Sequence, residues 1–293
     1  EGAETFTVQI RTGSVSGTIV ATLPSVTVND TSQTQTGWDI NSATYVKSSN
    51  ITVGTSSSGY ISRGLAFSTD GTKMYVVTSS NYFSRIYQYN LSTAWDVNTL
   101  SSDSYVSFSQ DRGYAVAFKT DGSRYFLASD DEDRVGEFDL TTAWDIDGGS
   151  TFNGNTGFQT QDTRITSAQF SSDGTKMVLY GATNDKLYYF TLSTAWDVST
   201  ASYSTASSAL AGGDTMAMQP DGTKFYLIGG SSVYQHNATT AFDMSTVPTS
   251  ATYTLDVSND VTVNYIAGIA ISSDGSKLYT TNRSTRYVYQ YDL

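Results

Sequence analysis

One alternation of apolar and polar positions recurs five times along the chain. In its first full copy, Gly64-Leu65-Ala66-Phe67 leads to an Asp-Gly pair at Asp70-Gly71, and Lys73–Thr78 follows as a second run. A third run, Arg85–Leu91, carries Ile86, Tyr87 and Tyr89. It ends in a Trp-Asp pair, after which Tyr105–Phe108 forms a fourth run. Short alternating runs rich in Val, Tyr and Thr predict strands. Asp-Gly between two of them predicts a hairpin, because glycine accepts the positive φ that the turn requires. No 3.6-residue period runs through the copies, which excludes a helical solenoid.

The Asp-Gly pairs begin at Asp70, Asp121, Asp173, Asp221 and Asp274, spaced by 51, 52, 48 and 53 residues. The Trp-Asp turn stands at Trp95, Trp144 and Trp196, with Phe242 in the next copy and Trp38 ahead of the first Asp-Gly pair. Four strands in a repeat of roughly 40–50 residues is the period of a propeller blade. The predicted fold is all-β, a five-bladed β-propeller over residues 34–293. Six residues before each turn aspartate stand Gly64, Ala115, Ser167, Thr215 and Gly268, all small. Three before it stand Phe67, Phe118, Phe170, Met218 and Ile271, all large. Alternate strand residues face opposite ways, so innermost strands of this composition stack bulk against space.

The chain ends at Tyr289-Gln290-Tyr291-Asp292-Leu293, which matches the third run Tyr87–Leu91. The Trp-Asp turn and fourth run that should follow stand instead near the N-terminus, as Trp38-Asp39 and Tyr45-Val46. An N-terminal strand is therefore expected to complete the last blade and leave no free edge at the seam. Residues 1–33 lie outside the repeat. Thr5–Thr12 and Thr18–Thr22 alternate around Gly13–Gly17, which predicts a short β-hairpin: an arm for self-assembly or the remnant of a preceding β-domain.

Composition narrows the chemistry. The net charge is −12, which repels a phosphate backbone, so no nucleic-acid partner is expected. No apolar stretch reaches the length of a membrane span, and no membrane insertion is expected. The absence of cysteine removes disulfides, thiolate metal sites and cysteine nucleophiles. The single histidine, His236, falls in a third strand, where a packed structural role is expected.

The pattern Phe67-Ser68…Asp70-Gly71-Thr72-Lys73-Met74-Tyr75, followed by Tyr87-Gln88-Tyr89…Leu91-Ser92-Thr93-Ala94-Trp95-Asp96-Val97, resembles tandem repeats of marine bacteriophage tail and fibre proteins. It is also similar to repeats of secreted bacterial surface proteins. The resemblance covers residues 34–293 and implies an extracellular setting on a virion or microbial surface. Phe6–Gly13 is similar to linker or β-domain sequence in such proteins. Five blades also resemble tachylectin, an animal lectin, and five-bladed glycosidases.

In a propeller the Asp-Gly and Trp-Asp turns share one face. Their near-verbatim repetition marks Trp38, Trp95, Trp144, Trp196 and Phe242 as packing residues between blades. The same repetition marks Asp70, Asp121, Asp173, Asp221 and Asp274 as turn residues. Five equivalent aromatic platforms for sugars are the alternative. The opposite loops differ from blade to blade, and loops on a rigid scaffold are the usual place for recognition. Tyr82, Phe83, Arg85, Arg112, Arg134 and Arg164 are the expected contacts for a glycan or protein partner there. Asp130, Asp131, Glu132 and Asp133 form an acidic tip, whose oxygens suit calcium if they converge. Otherwise no cofactor is expected. Arg63 stands near the first inner strand as Arg112 and Arg164 stand near the next two. Asp111, Asp162, Asp214 and Asp260 precede inner strands, the axial placement from which a glycosidase would draw two carboxylates. No motif marks one as acid and another as nucleophile. The expected function is a non-catalytic extracellular module for adhesion or architecture. A purely structural subunit assembling through its arm, or a glycosidase, are the alternatives.

Overall fold

The computed structural model describes residues 37–51, 61–80, 83–109, 112–263, 265–283 and 285–293, together with the backbone of four short strands before them. Those four strands form a unit of their own, Glu1–Gly37. Glu4–Phe6 pairs antiparallel with Val26–Val28, and inside that pair Gln9–Arg11 pairs with Ile19–Thr22. The predicted hairpin corresponds to the inner pair. Its connection at 12–18 lies outside the described residues.

The second unit, Trp38–Leu293, contains five antiparallel sheets of four strands each. Blade one is Ile61–Phe67, Lys73–Ser79, Phe83–Leu91 and Leu100–Ser109, paired in sequence order. Blades two to four repeat this order with inner strands Gly113–Phe118, Ile165–Phe170 and Met216–Met218. Blade five takes Ile266–Ile271, Lys277–Asn282 and Tyr287–Asp292 from the C-terminus and Thr44–Asn50 from the N-terminus. Tyr291 faces Tyr45 and Asp292 faces Thr44 across that seam. The five inner strands touch in a closed cycle, each against the next and the fifth against the first.

Five blades crowd the axis, which explains the small residues. A Cβ on Gly64 would lie 2.6 Å from the carbonyl oxygen of Tyr114 and 2.8 Å from Cα of Ala115, both on the next inner strand. The joints between blades combine apolar packing with a recurrent polar staple. In it, a third-strand side chain accepts from the amide that follows the next Trp-Asp pair. Gln88 accepts from Ile146 at 3.0 Å, Gln235 from Ile40 at 2.8 Å and Gln290 from Val97 at 3.4 Å; Glu137 accepts from Val198. A second bond reaches the carbonyl of the turn aromatic. Tyr75 donates to Trp144 at 2.6 Å and Tyr279 to Trp95 at 2.7 Å, while Arg124 reaches Trp196 at 2.7 Å and Tyr226 reaches Trp38. The joint from blade three to blade four has Val178 and Tyr189 at these positions, packed in an apolar cluster with Phe242 and Met244.

Candidate functional site

The repeated aromatics sit where the turn chemistry placed them, in an unforeseen backbone conformation. Trp38, Trp95, Trp144, Trp196 and Phe242 all have positive φ, between 58° and 79°. Each ring covers the glycine of its own blade's Asp-Gly turn so closely that a Cβ there would overlap it. Trp95 also stacks on Tyr279 and Trp196 on Phe126, both in the preceding blade. Asp173 accepts from the Ser171 hydroxyl at 2.6 Å and the Thr175 amide at 3.0 Å, and these bonds hold its carboxyl down at about 2. Asp121 falls to about 2 for the same kind of reason, with Ser123 and Lys119 as partners. Asp70 and Asp274 make the same turn bonds and are likewise lowered, and Asp221 binds Thr223 in the same way.

On the other face the expected contacts do not form one patch. Tyr82 and Asp111 lie outside the described residues. Phe83 is exposed. Arg85 lies over the ring of Tyr105, on the outer strand of its own blade, and Arg134 pairs with Glu132. Arg112 pairs with Asp130 and Asp131, and Arg164 donates to the Tyr114 hydroxyl. The acidic run does not converge on a cation either. Asp130 and Asp131 face Arg112 at 3.2 and 2.5 Å, and Glu132 faces Arg134. Among the described residues no group of three or more His, Asp or Glu side chains is arranged to hold a metal ion. Asp162 is consumed locally, accepting from the amides of Arg164, Thr183 and Asn184. His236 is fully buried with its ring nitrogens against the carbonyls of Pro248 and Ala211.

What the fold does assemble is a cluster drawn from all five blades. Arg63 of blade one donates to the Tyr114 hydroxyl of blade two at 2.6 Å, and Arg164 of blade three donates to the same oxygen at 2.5 Å. Arg164 also lies 3.6 Å from Asp130 and 3.8 Å from Asp214 of blade four. Tyr265 of blade five donates to Asp214, and Arg283 packs over the Tyr265 ring. A cluster to which every blade contributes lies where the blades meet, at the axis. Each member stands at the start of an inner strand or the end of a second strand, so the cluster opens on the variable-loop face. At the opposite end is a cavity of about 200 Å³. Phe67, Phe118, Phe170 and Met218 help line it, and no ionisable side chain does.

Asp130 is the most enclosed carboxylate of the cluster. Its side chain is 4% exposed, and burial raises its pKa in spite of the arginines beside it. Its Oδ1 is buried and receives no hydrogen bond, because Nε–H of Arg112 is directed at Asp131 instead. Arg63 has its pKa lowered, first by burial and then by Arg283 and Arg164 nearby, against the opposing pull of Tyr114 and Asp130. Sequence reasoning had marked Arg63, Arg112, Arg164 and Asp214, and had missed Tyr114, Tyr265 and Arg283. One signal identifies part of the ring. Seven residues before the turn aspartates stand Arg63, Tyr114, Thr166, Asp214 and Ala267, five different residues in a register whose neighbours repeat.

A family model described as "Lactonase, 7-bladed beta-propeller" matches residues 31–293, and the chain belongs to that family. It builds the ring from five sheets rather than seven. The membership overturns the expectation of a non-catalytic extracellular adhesion or virion module, because the family is described by an enzymatic activity. The resemblance to tail, fibre and surface repeats holds only at the level of a propeller repeat. No curated protein matches the sequence. Among solved structures, a functionally unknown protein from Desulfotomaculum acetoxidans is 14% identical with a TM-score of 0.48, over 79% of this chain and 68% of that one. A protein from Lactobacillus plantarum is 19% identical with a TM-score of 0.45, over 76% of this chain and 64% of that one.

Proposed function

We propose that the chain hydrolyses a cyclic ester at the axial arginine, tyrosine and aspartate cluster. The family supplies the reaction class, and the observation that carries the placement is Asp130. It is a buried carboxylate whose Oδ1 accepts no hydrogen bond although it lies 3.2 Å from Nε of Arg112, and whose Oδ2 is 3.6 Å from the guanidinium that binds Tyr114.

Opening a lactone with water requires a base for the water, positive charge for the carbonyl oxygen and a counter-charge for the carboxylate produced. In this reading Oδ1 of Asp130 takes a proton from water as the water oxygen bonds to the carbonyl carbon. The C=O π pair moves onto the carbonyl oxygen, towards Arg63 and Arg164. When the C=O re-forms, the ring C–O bond breaks, and the proton held by Asp130 passes to the departing alkoxide. The product is a hydroxy acid, whose remaining water-derived proton is lost to solvent to leave the hydroxy-carboxylate. Burial makes the Asp130 carboxylate a stronger base than an exposed aspartate.

The test is acid release from γ- and δ-lactones at constant pH. The wild-type chain should release acid above the spontaneous rate. Asp130→Asn should lower kcat/KM by about 10²–10⁴-fold, the usual contribution of a general base. Its melting should be checked alongside, because Asp130 pairs with Arg112 and Arg164. No release from any lactone, or an unimpaired Asp130→Asn, would remove the proposal.

A further inference from the structure

We infer that the Tyr114 hydroxyl donates to the carbonyl oxygen of the bound ester and is a catalytic residue of the axial site. The inference rests on the hydrolytic reading above.

Tyr114 follows Gly113 at the start of the blade-two inner strand and is 3% exposed. Its oxygen accepts from Arg63 at 2.6 Å and from Arg164 at 2.5 Å. Guanidinium groups donate and never accept, so the phenolic proton cannot be directed at either arginine. With two donors already on the oxygen, the O–H is turned to a third direction. Among the described residues none accepts it. A buried donor without an acceptor is unfavourable, and a ligand oxygen at the axis removes the deficit. The two cations withdraw electron density from the phenol oxygen and strengthen the O–H as a donor.

Tyr265 provides the contrast. It belongs to the same cluster, yet its hydroxyl is already given to Asp214. Tyr114 also occupies the register position seven before the turn aspartate, where the five blades carry Arg63, Tyr114, Thr166, Asp214 and Ala267. The positions on the same strands that hold the ring together are alike in type, and this one is not. That is the pattern of a position released from the repeat for chemistry.

During attack by water the carbonyl oxygen gains negative charge and the Tyr114 hydrogen bond shortens. No proton is transferred by Tyr114, and the bond relaxes when the ring C–O bond breaks. A preformed donor of this kind acts on the transition state more than on the ground state.

The experiment uses the full chain with Tyr114→Phe and, as a control away from the axis, Tyr203→Phe on the outer strand Ala201–Ala206 of blade three, each checked for melting. The first readout is the infrared C=O stretch of ¹³C-labelled cyclopentanone, a ketone with no leaving group. The wild type and Tyr203→Phe should shift it to lower frequency, and Tyr114→Phe should abolish the shift. The second readout is lactone turnover. There Tyr114→Phe should lower kcat by about 10²–10³-fold with KM little changed, while Tyr203→Phe stays within a few-fold. A ketone band unshifted by the wild type, or still shifted by Tyr114→Phe, overturns the inference. So does wild-type turnover that survives Tyr114→Phe. If no lactone is hydrolysed but the shift depends on Tyr114, the donor assignment stands and the hydrolytic reading falls.

Discussion

Replacing Trp196 with alanine measures how much the aromatic turns hold the ring. Trp196 is 8% exposed, covers Gly174, and packs on Phe170 of its own blade and Phe126 of blade two. Truncating a buried tryptophan costs about 3–5 kcal/mol through lost burial and the cavity left behind. Its φ of 65° adds a second, separable effect. An L-residue in that conformation is strained by about 1–2 kcal/mol, and glycine is not. Alanine removes the ring and keeps the strain, whereas glycine removes both. Trp196→Gly should therefore be the less destabilised variant, by roughly 1 kcal/mol. For a unit of this size each kcal/mol moves Tm by about 2–4 °C, so alanine should lower it by roughly 6–20 °C. Calorimetry on the wild type and both variants decides the matter. A Trp196→Ala protein melting within 2 °C of the wild type would refute the packing role. Glycine no better than alanine would refute the strain.

The turn aspartates should make the stability of the fold fall as the pH is lowered through the acid range. Because the folded pKa of Asp173 is depressed to about 2, its contribution is present above the ordinary carboxylate range and is lost as pH falls through about 2. The Tm advantage of the wild type over Asp173→Asn should accordingly be full at pH 7 and vanish near pH 2; an advantage that grows on acidification would contradict the assignment. Deleting residues 1–50 should remove the outer strand of blade five and expose Tyr287–Asp292 as an edge. Light scattering should then show self-association, and a monomer melting like the parent would show that the seam strand is dispensable.

The repeat, the hairpin turns and the split last blade were legible in the sequence because they are local or periodic. Asp-Gly fixes a turn within four residues. The missing fourth run at one terminus has its counterpart at the other. The small residues of the inner strands were legible too, since the axis of a five-bladed ring admits little else. Two features could be decided only by the folded ring. The first is the positive φ of five bulky aromatics, which arises because each ring must lie flat on a glycine brought near by the hairpin. The second is the site. Arg63 and Arg283 are far apart in sequence, and Tyr114, Arg164 and Asp214 lie between them. They converge only when the inner strands close on one another. Asp130 shows the limit most plainly. As one member of an acidic run it had the signature of a solvated tip, and proximity to the axis withdrew it from water while its neighbour Asp131 took the hydrogen bond from Arg112. Burial and pairing are properties of position in three dimensions, and no residue's neighbours along the chain determine them.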